Sequence, residues 1–207
     1  MRAHERVLIT GADLVHFGSN YIIDGDRVDD LPNTSVDEAH PLNQYGRSKL
    51  DGEHAVRDHC ARTFIVRSSW VYGRGKVGFV NDTRRRLMAH ERIDAVTDVR
   101  ANTTFVEDLV ERALELIERG HYGTYHLVNT GVCSYYDIAV EIGQVLGMPV
   151  DQQGRLIRRS TAAVARWIAA RSPCTPLRCL LSEEHGLPAL HSWRIALADY
   201  VGRESER

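Results

Sequence analysis

Pro41-Leu42-Asn43-Gln44-Tyr45-Gly46-Arg47-Ser48-Lys49-Leu50-Asp51-Gly52-Glu53 is the stretch on which the fold turns. It sets Tyr-x-x-x-Lys at the start of a predicted helix, Gln44–Thr63. Residues four apart share one helical face, so Tyr45 and Lys49 point the same way. A phenol ordinarily titrates near pH ~10, and a cation held beside it favours the phenolate. Tyr45 is therefore a candidate general acid or base, with Lys49 as the group that tunes it. The bare pair occurs on many solvated helices, so the flanking sequence must carry the argument.

Outward from that helix, strand and helix patterns alternate, which predicts a layered α/β sheet. Strands are expected at Val7–Ile9, Leu14–Phe17, Phe64–Arg67, Ile93–Val96 and Tyr125–Val128. Helices are expected at Val80–His90, Thr104–Arg119, Tyr135–Leu146, Ser160–Ala170 and Trp193–Val201. In Thr104–Arg119 the apolar residues Val106, Leu109, Val110, Ala113, Leu114 and Ile117 recur at helical spacing. Ser134 suits the N-cap of Tyr135–Leu146, and Gly147 suits its end. Asp24–Asn43 reads as a polar loop, interrupted by Pro32 and Pro41. Ser172–Pro176 reads as an irregular loop.

The flanking sequence resembles the dTDP-4-dehydrorhamnose reductase-like family, a branch of the extended short-chain dehydrogenases/reductases. The helix resembles that family's proline-leucine-asparagine, tyrosine-glycine-x-serine-lysine, glycine-glutamate signature. Val15-His16-Phe17-Gly18-Ser19-Asn20-Tyr21-Ile22-Ile23-Asp24-Gly25 and Ile65-Val66-Arg67-Ser68-Ser69-Trp70-Val71-Tyr72-Gly73 resemble two of its strand segments. Tyr125–Gly131, Cys133–Asp137 and Trp193–Tyr200 resemble later ones, so the resemblance runs in order from about Leu14 to about Val201. It implies a Rossmann-like parallel sheet with helices on both faces and a small C-terminal substrate-binding lobe. The chain is expected to form a single domain over 1–207. Residues 1–75 would be a residual Rossmann core, and 76–207 a mixed core with the C-terminal lobe.

One part of the family pattern is missing. Val7-Leu8-Ile9-Thr10-Gly11-Ala12 resembles the first strand and the start of its glycine turn. The dinucleotide fingerprint needs further glycines, a helix N-terminus for the pyrophosphate and a later acidic residue for the ribose. Here Asp13 leads straight into Leu14-Val15-His16-Phe17. The expectation is therefore that no cofactor binds, with NAD(P)H bound only if a partner completes the site. Parallel neighbours need a crossover of about a dozen residues, which Ala12-Asp13 cannot supply. An exposed sheet edge invites pairing, and a homodimer across this edge is expected.

Composition narrows the remaining classes. A length of 207 residues is enough to bury a core without disulfides, and a net charge of -2 gives no broad case for nucleic acid or acidic membranes. Arg84-Arg85-Arg86 reads as the solvated face of a helix, and Arg155, Arg158 and Arg159 are equally ambiguous. Cys60, Cys133, Cys174 and Cys179 have no metal spacing and read as reduced thiols of a cytoplasmic protein. The ten histidines are scattered, so no metal is expected. No apolar run approaches the ~20 residues of a membrane span, and Met1–Arg6 is not followed by the apolar region of a secretion signal.

The candidate catalytic residues are Tyr45, Lys49 and Ser19, the last lying just past a strand, where open α/β sheets place ligands. The resemblance implies that Ser19 bonds the substrate's keto oxygen and that Trp70 contacts a sugar. Asn20, Asn102, Thr103 and Arg171 complete the candidate substrate-binding set. Asn20 replaces an aspartate of the family pattern. Val99, Ala101 and Thr103 replace a glutamine, a glycine and a proline in its aspartate-glutamine-x-glycine-x-proline-threonine loop. Arg171 offers a planar fork for a diphosphate. The leading expectation is redox-neutral acid–base catalysis on a keto-bearing substrate: isomerisation, epimerisation, cyclisation or dehydration. The alternatives are an NAD(P)H-dependent 4-keto-6-deoxysugar-nucleotide reductase needing a partner chain for the cofactor, and a non-catalytic binding or regulatory subunit.

Overall fold

The computed structural model describes residues 11–25, 32–35, 37–148, 150, 156–160 and 171–205. The expected strand at Val7–Ile9 lies outside the described residues, as does the expected helix at Ser160–Ala170 beyond its first residue. The fold is α/β, as expected. Strand β1 (Leu14–Phe17), β2 (Thr63–Arg67) and β7 (Gly123–His126) form a parallel sheet in the order β1-β2-β7. Among the described residues, β1 is one edge of that sheet.

Side-chain alternation builds two faces from these strands. Val15, Phe64 and Val66, and Tyr125 share one face, packing with Leu109, Ala113 and Leu116 of helix α3 (Val106–Arg119). His16 and Arg67 and His126 share the other. Helix α1 (Gln44–His59) covers that second face, and its Glu53 reaches Arg67. The helix ends at His59 rather than Thr63, because Cys60 turns to extended backbone and Thr63 already belongs to β2.

The second face is polar where a sheet is normally apolar. Glu53 is fully buried, and Arg67 is nearly so. Arg67 Nε donates to both Glu53 carboxylate oxygens at 3.1 and 3.0 Å, and a terminal nitrogen donates to Oε2 at 2.7 Å. The other terminal nitrogen reaches His126 Nε2 at 3.3 Å, which makes Nε2 the acceptor; His126 Nδ1–H then donates to the Asn33 carbonyl at 3.1 Å. Gly18 leaves room for this carboxylate, since a Cβ there would meet Glu53 Oε1 at 2.4 Å.

A second core joins helices α2 (Phe79–Met88), α4 (Tyr135–Val145) and α6 (Trp193–Ser205) to strand β4 (Ile93–Val96). Leu87, Ala95, Ile142, Leu197 and Val201 are among its fully buried members. β4 pairs in parallel with β9 (Leu156–Arg159), a strand that the sequence did not announce. α4 has the expected Ser134 cap, completed as a capping box by Asp137. Gly147 follows it at φ +68°, a conformation that suits glycine. Short strands link the two regions. β3 (Val71–Tyr72) pairs with β6 (Thr104–Phe105), and β5 (Arg100–Ala101) pairs with β8 (Cys133–Ser134) and β10 (Cys174–Thr175). The remaining helix, α5 (Leu180–Glu184), is short. No helix among the described residues is long and apolar enough to cross a membrane.

The buried histidine makes stability depend on pH. Burial, and then the Arg67 charge, lower the His126 pKa to about 4. The unfolded imidazole titrates near ~6.5, so between the two values the unfolded chain binds the extra proton. Stability is full above that range and is lost as the pH falls toward 4, by about 3 kcal/mol for this group. Burial also lowers the His16 pKa, which adds a loss of the same sign. Urea unfolding between pH 7 and 4 is expected to show this decline, and His126→Asn to flatten it. An equally steep decline in His126→Asn would contradict the assignment.

Candidate functional site

The polypeptide leaves β1 through Gly18 and enters a single turn of tight helix, Asn20–Ile22. Ser19 caps that turn, its hydroxyl oxygen accepting the Tyr21 N–H at 3.2 Å. Asn20 is buried and donates to Thr175 Oγ1 at 2.7 Å, tying the turn to β10. α1 begins beside it, capped by Asn43, whose side-chain oxygen accepts the Gly46 N–H at 2.9 Å. Gly46 sets how closely α1 lies on the Ser19 turn, because a Cβ there would fall 2.0 Å from the Tyr21 carbonyl oxygen.

That approach brings Tyr45 to the Ser19 turn. Its ring lies edge-on to Tyr21, 5.6 Å between centroids, and remains about half exposed. Lys49 stands one turn further on, its Nζ 5.7 Å from the Tyr45 ring centroid. The ammonium donates to the Phe17 carbonyl at 3.3 Å, so the end of β1 holds it in place.

Gly18, Ser19, Asn20 and Tyr45 open onto a cleft of about 550 Å³. Trp70 and Arg171 form part of its far wall. Trp70 has φ +39°, a strained backbone for a non-glycine residue, and its indole stacks on Tyr135 at 4.2 Å. The Arg171 guanidinium donates to the Tyr21 hydroxyl and lies 5.5 Å above that ring. Lys76 also faces the cleft. Among the described residues no carboxylate lines it, and the two charged ones that do, Lys76 and Arg171, are both positive in a chain of net charge -2.

The structure thus brings Ser19, Asn20, Tyr45, Trp70 and Arg171 to one cleft, with Lys49 behind Tyr45. It sets Asn102 elsewhere. The Asn102 amide donates to the Asn129 and Gly131 carbonyls, and its oxygen accepts the Leu177 N–H at 2.7 Å, so its polar atoms pin three loops. Thr103 lines a smaller space beyond Trp70. Tyr21, Lys76 and Tyr135 were missed as wall residues. Tyr21 and Tyr135 stood inside segments that resemble the family, but no spacing rule marks Lys76. No group of histidines, cysteines and carboxylates among the described residues is arranged to hold a metal.

Gly46 supplies the test of this geometry. Within an ordinary helix, alanine is better than glycine by about 1 kcal/mol. Gly46→Ala is expected to lower stability instead, because the methyl group must displace the Ser19 turn. A stabilised Gly46→Ala protein would contradict the close docking of α1.

Comparison with known proteins bears on what such a cleft serves. The dTDP-4-dehydrorhamnose reductase of Mycobacterium tuberculosis is 36% identical over 193 residues, covering 91% of this chain and 62% of its own. A probable dTDP-4,6-dihydroxy-2-methyloxan-3-one 4-ketoreductase of Streptomyces antibioticus is 32% identical over 190 residues, covering 90% and 61%. The chain thus spans less than two thirds of the length of these relatives. A dTDP-4-dehydrorhamnose reductase structure from Clostridium acetobutylicum superposes with a TM-score of 0.89 at 30% identity, covering 98% of this chain and 69% of that one. One from Bacillus anthracis, solved in complex with NADP, gives 0.86 at 32% identity, covering 93% and 66%. These relatives are named reductases. They therefore favour the reductase alternative over the redox-neutral chemistry read first from the sequence, and they lend no support to cofactor independence. The sequence profile of the RmlD substrate binding domain matches residues 4–205, and the chain belongs to that family.

Proposed function

We propose that the cleft binds a nucleotide-linked keto sugar. On this reading the chain provides the catalytic face of an NAD(P)H-dependent 4-keto-6-deoxysugar-nucleotide reductase, and a partner chain provides the dinucleotide-binding half. The carrying observation is the cleft itself: Ser19 and Tyr45 open onto the same space as two cations, with no carboxylate among the described lining residues. Such a wall favours a substrate that carries phosphate charge at one end and a neutral reacting group at the other.

The described residues fit the reacting end of a nicotinamide cofactor and not its phosphate end. Tyr45 and Lys49 stand at the carboxyl end of β1, where a sheet of this class receives its ligands. From Gly11, by contrast, Ala12 and Asp13 lead directly into β1, with no helix N-terminus between them. When bound, the cofactor supplies a hydride.

The chain's own groups then have distinct tasks. The Tyr45 hydroxyl delivers a proton to the carbonyl oxygen as it becomes an alcohol. The Ser19 hydroxyl donates a hydrogen bond to the same oxygen and stabilises the charge that develops there. Lys49, held by the Phe17 carbonyl, places a positive charge beside the Tyr45 ring, next to the oxygen that receives the proton. Arg171 and Lys76 hold the diphosphate, and Trp70 packs against the sugar.

Calorimetric titration with dTDP-glucose tests the binding part. Arg171→Ala is expected to weaken affinity at least tenfold, about 1.4 kcal/mol, and Tyr45→Phe to leave it within about threefold, near 0.65 kcal/mol. In the completed reductase, Tyr45→Phe is expected to slow NADPH-dependent reduction of a dTDP-4-keto-6-deoxyhexose by roughly 10²–10⁴-fold. Full turnover in Tyr45→Phe, or unchanged affinity in Arg171→Ala, would contradict the reading.

A further inference from the structure

A pocket of about 300 Å³ lies beside β7 and shares none of its described lining residues with the cleft. One wall is the end of β7 and the turn after it, within residues 126–132. The other comes from residues 177–190, which carry α5. Leu127, Val132, Leu177, Leu187, Pro188 and Leu190 make the lining mainly apolar. Small-molecule pockets have this composition, with apolar walls, a few placed polar groups and volumes from roughly 300 Å³ upward. An apolar cavity of about 150 Å³ holds a benzene ring, so this pocket has room for a ring with a short substituent.

Arg112 of α3 brings a buried cation into that lining. It is 8% exposed. One terminal nitrogen donates to the Pro188 carbonyl at 2.7 Å, and Nε lies 3.1 Å from Glu115 Oε2. A guanidinium carries five N–H donors, and the other terminal nitrogen has no hydrogen-bond partner among the described residues. That nitrogen is not one of the atoms that are both unpartnered and sealed from solvent, so its N–H groups are open. The other charged groups of the lining are engaged: Arg178 and Glu183 pair with each other at 2.7 Å. His126 is neutral at pH 7, its pKa lowered to about 4, mainly by burial. Glu115, 36% exposed at its side chain, is not among the lining residues.

We propose that this pocket is a second ligand site, which takes a small molecule with an apolar, ring-sized body and a single carboxylate, and that Arg112 recognises the carboxylate. Arginine binds carboxylates through charge-assisted N–H donors, and walls that exclude water strengthen such a contact. The body of the ligand rests between Leu127 on one side and Leu187 and Leu190 on the other. A nucleotide sugar does not match this site. Its diphosphate would meet one open cation, and its sugar hydroxyls would face apolar walls.

Cinnamate is the probe, and cinnamamide is its uncharged counterpart. In calorimetry the wild type is expected to bind cinnamate about tenfold more tightly than the amide, the usual worth of a charge-assisted hydrogen bond. Arg112→Met is expected to remove that preference, and Leu190→Trp, which fills the pocket, to weaken both probes. Thermal unfolding checks that the variants fold, and the comparison of the two probes in the wild type needs neither variant. Cys179 reports the location: it lines the pocket and is half-buried, whereas the other three cysteines are buried. Cinnamate at about ten times its Kd is expected to slow alkylation of Cys179 by iodoacetamide about tenfold, as mass action requires, and dTDP-glucose to leave that protection unchanged. Absence of cinnamate binding at millimolar concentration, equal affinity for the amide, or a retained preference in folded Arg112→Met would overturn the proposal. So would unprotected Cys179, or displacement of cinnamate by dTDP-glucose, which would put the probe in the cleft.

Discussion

The buried ion pair between Glu53 and Arg67 is the contact on which the site depends. Two charges removed from water are costly, and mutual attraction offsets that cost only with good geometry and full hydrogen bonding. Here the geometry is two-pronged, and the remaining guanidinium nitrogen is taken by His126. The pair fixes α1 on the sheet at one rotation and one height, because a helix turned by a single residue would carry Glu53 away from Arg67. Glu53 lies two helical turns beyond Tyr45 and one beyond Lys49. The salt bridge that anchors the helix therefore also sets where the phenol and the ammonium stand.

Glycines make that placement possible from the other side. Gly18 gives the Glu53 carboxylate its space, and Gly46 lets the first turn of α1 rest on the Tyr21 carbonyl. The result is a polar seam between α1 and the sheet, opening at its upper end onto Ser19 and Tyr45. Across the cleft, Trp70, Tyr135 and Phe79 form an aromatic partition, and Lys76 and Arg171 set its charge. A ligand with a charged middle and neutral rings at its ends matches this distribution.

Much of this was legible in the sequence, for identifiable reasons. β1 and β4 fell where expected, because branched apolar runs are strong local signals, and α1 begins at Gln44 as expected. The Tyr45–Lys49 face followed from helical spacing alone. What was not legible depended on contacts distant in sequence. Nothing local shows that Glu53 pairs with Arg67, or that His126 completes the pair from β7. β9 and the two-residue strands owe their structure to partners far along the chain. Asn102 was placed with the substrate wall because its loop resembles a substrate-facing one; its amide instead staples three backbone segments. The preference for redox-neutral chemistry came from weighing the absent glycine turn above the retained catalytic face, and the reductase relatives reverse that weighting.

The claim that the buried pair organises α1 is tested most directly by comparing two arginines that face the same carboxylate. Arg67 is 7% exposed at its side chain and sits 2.7 Å from Glu53, whereas Arg57 is 47% exposed and 4.0 Å away. Urea unfolding at pH 7 is expected to show Arg67→Met losing about 3–5 kcal/mol, since it strands a buried charge, and Arg57→Met losing less than about 1 kcal/mol. Equal losses in the two variants would contradict the account.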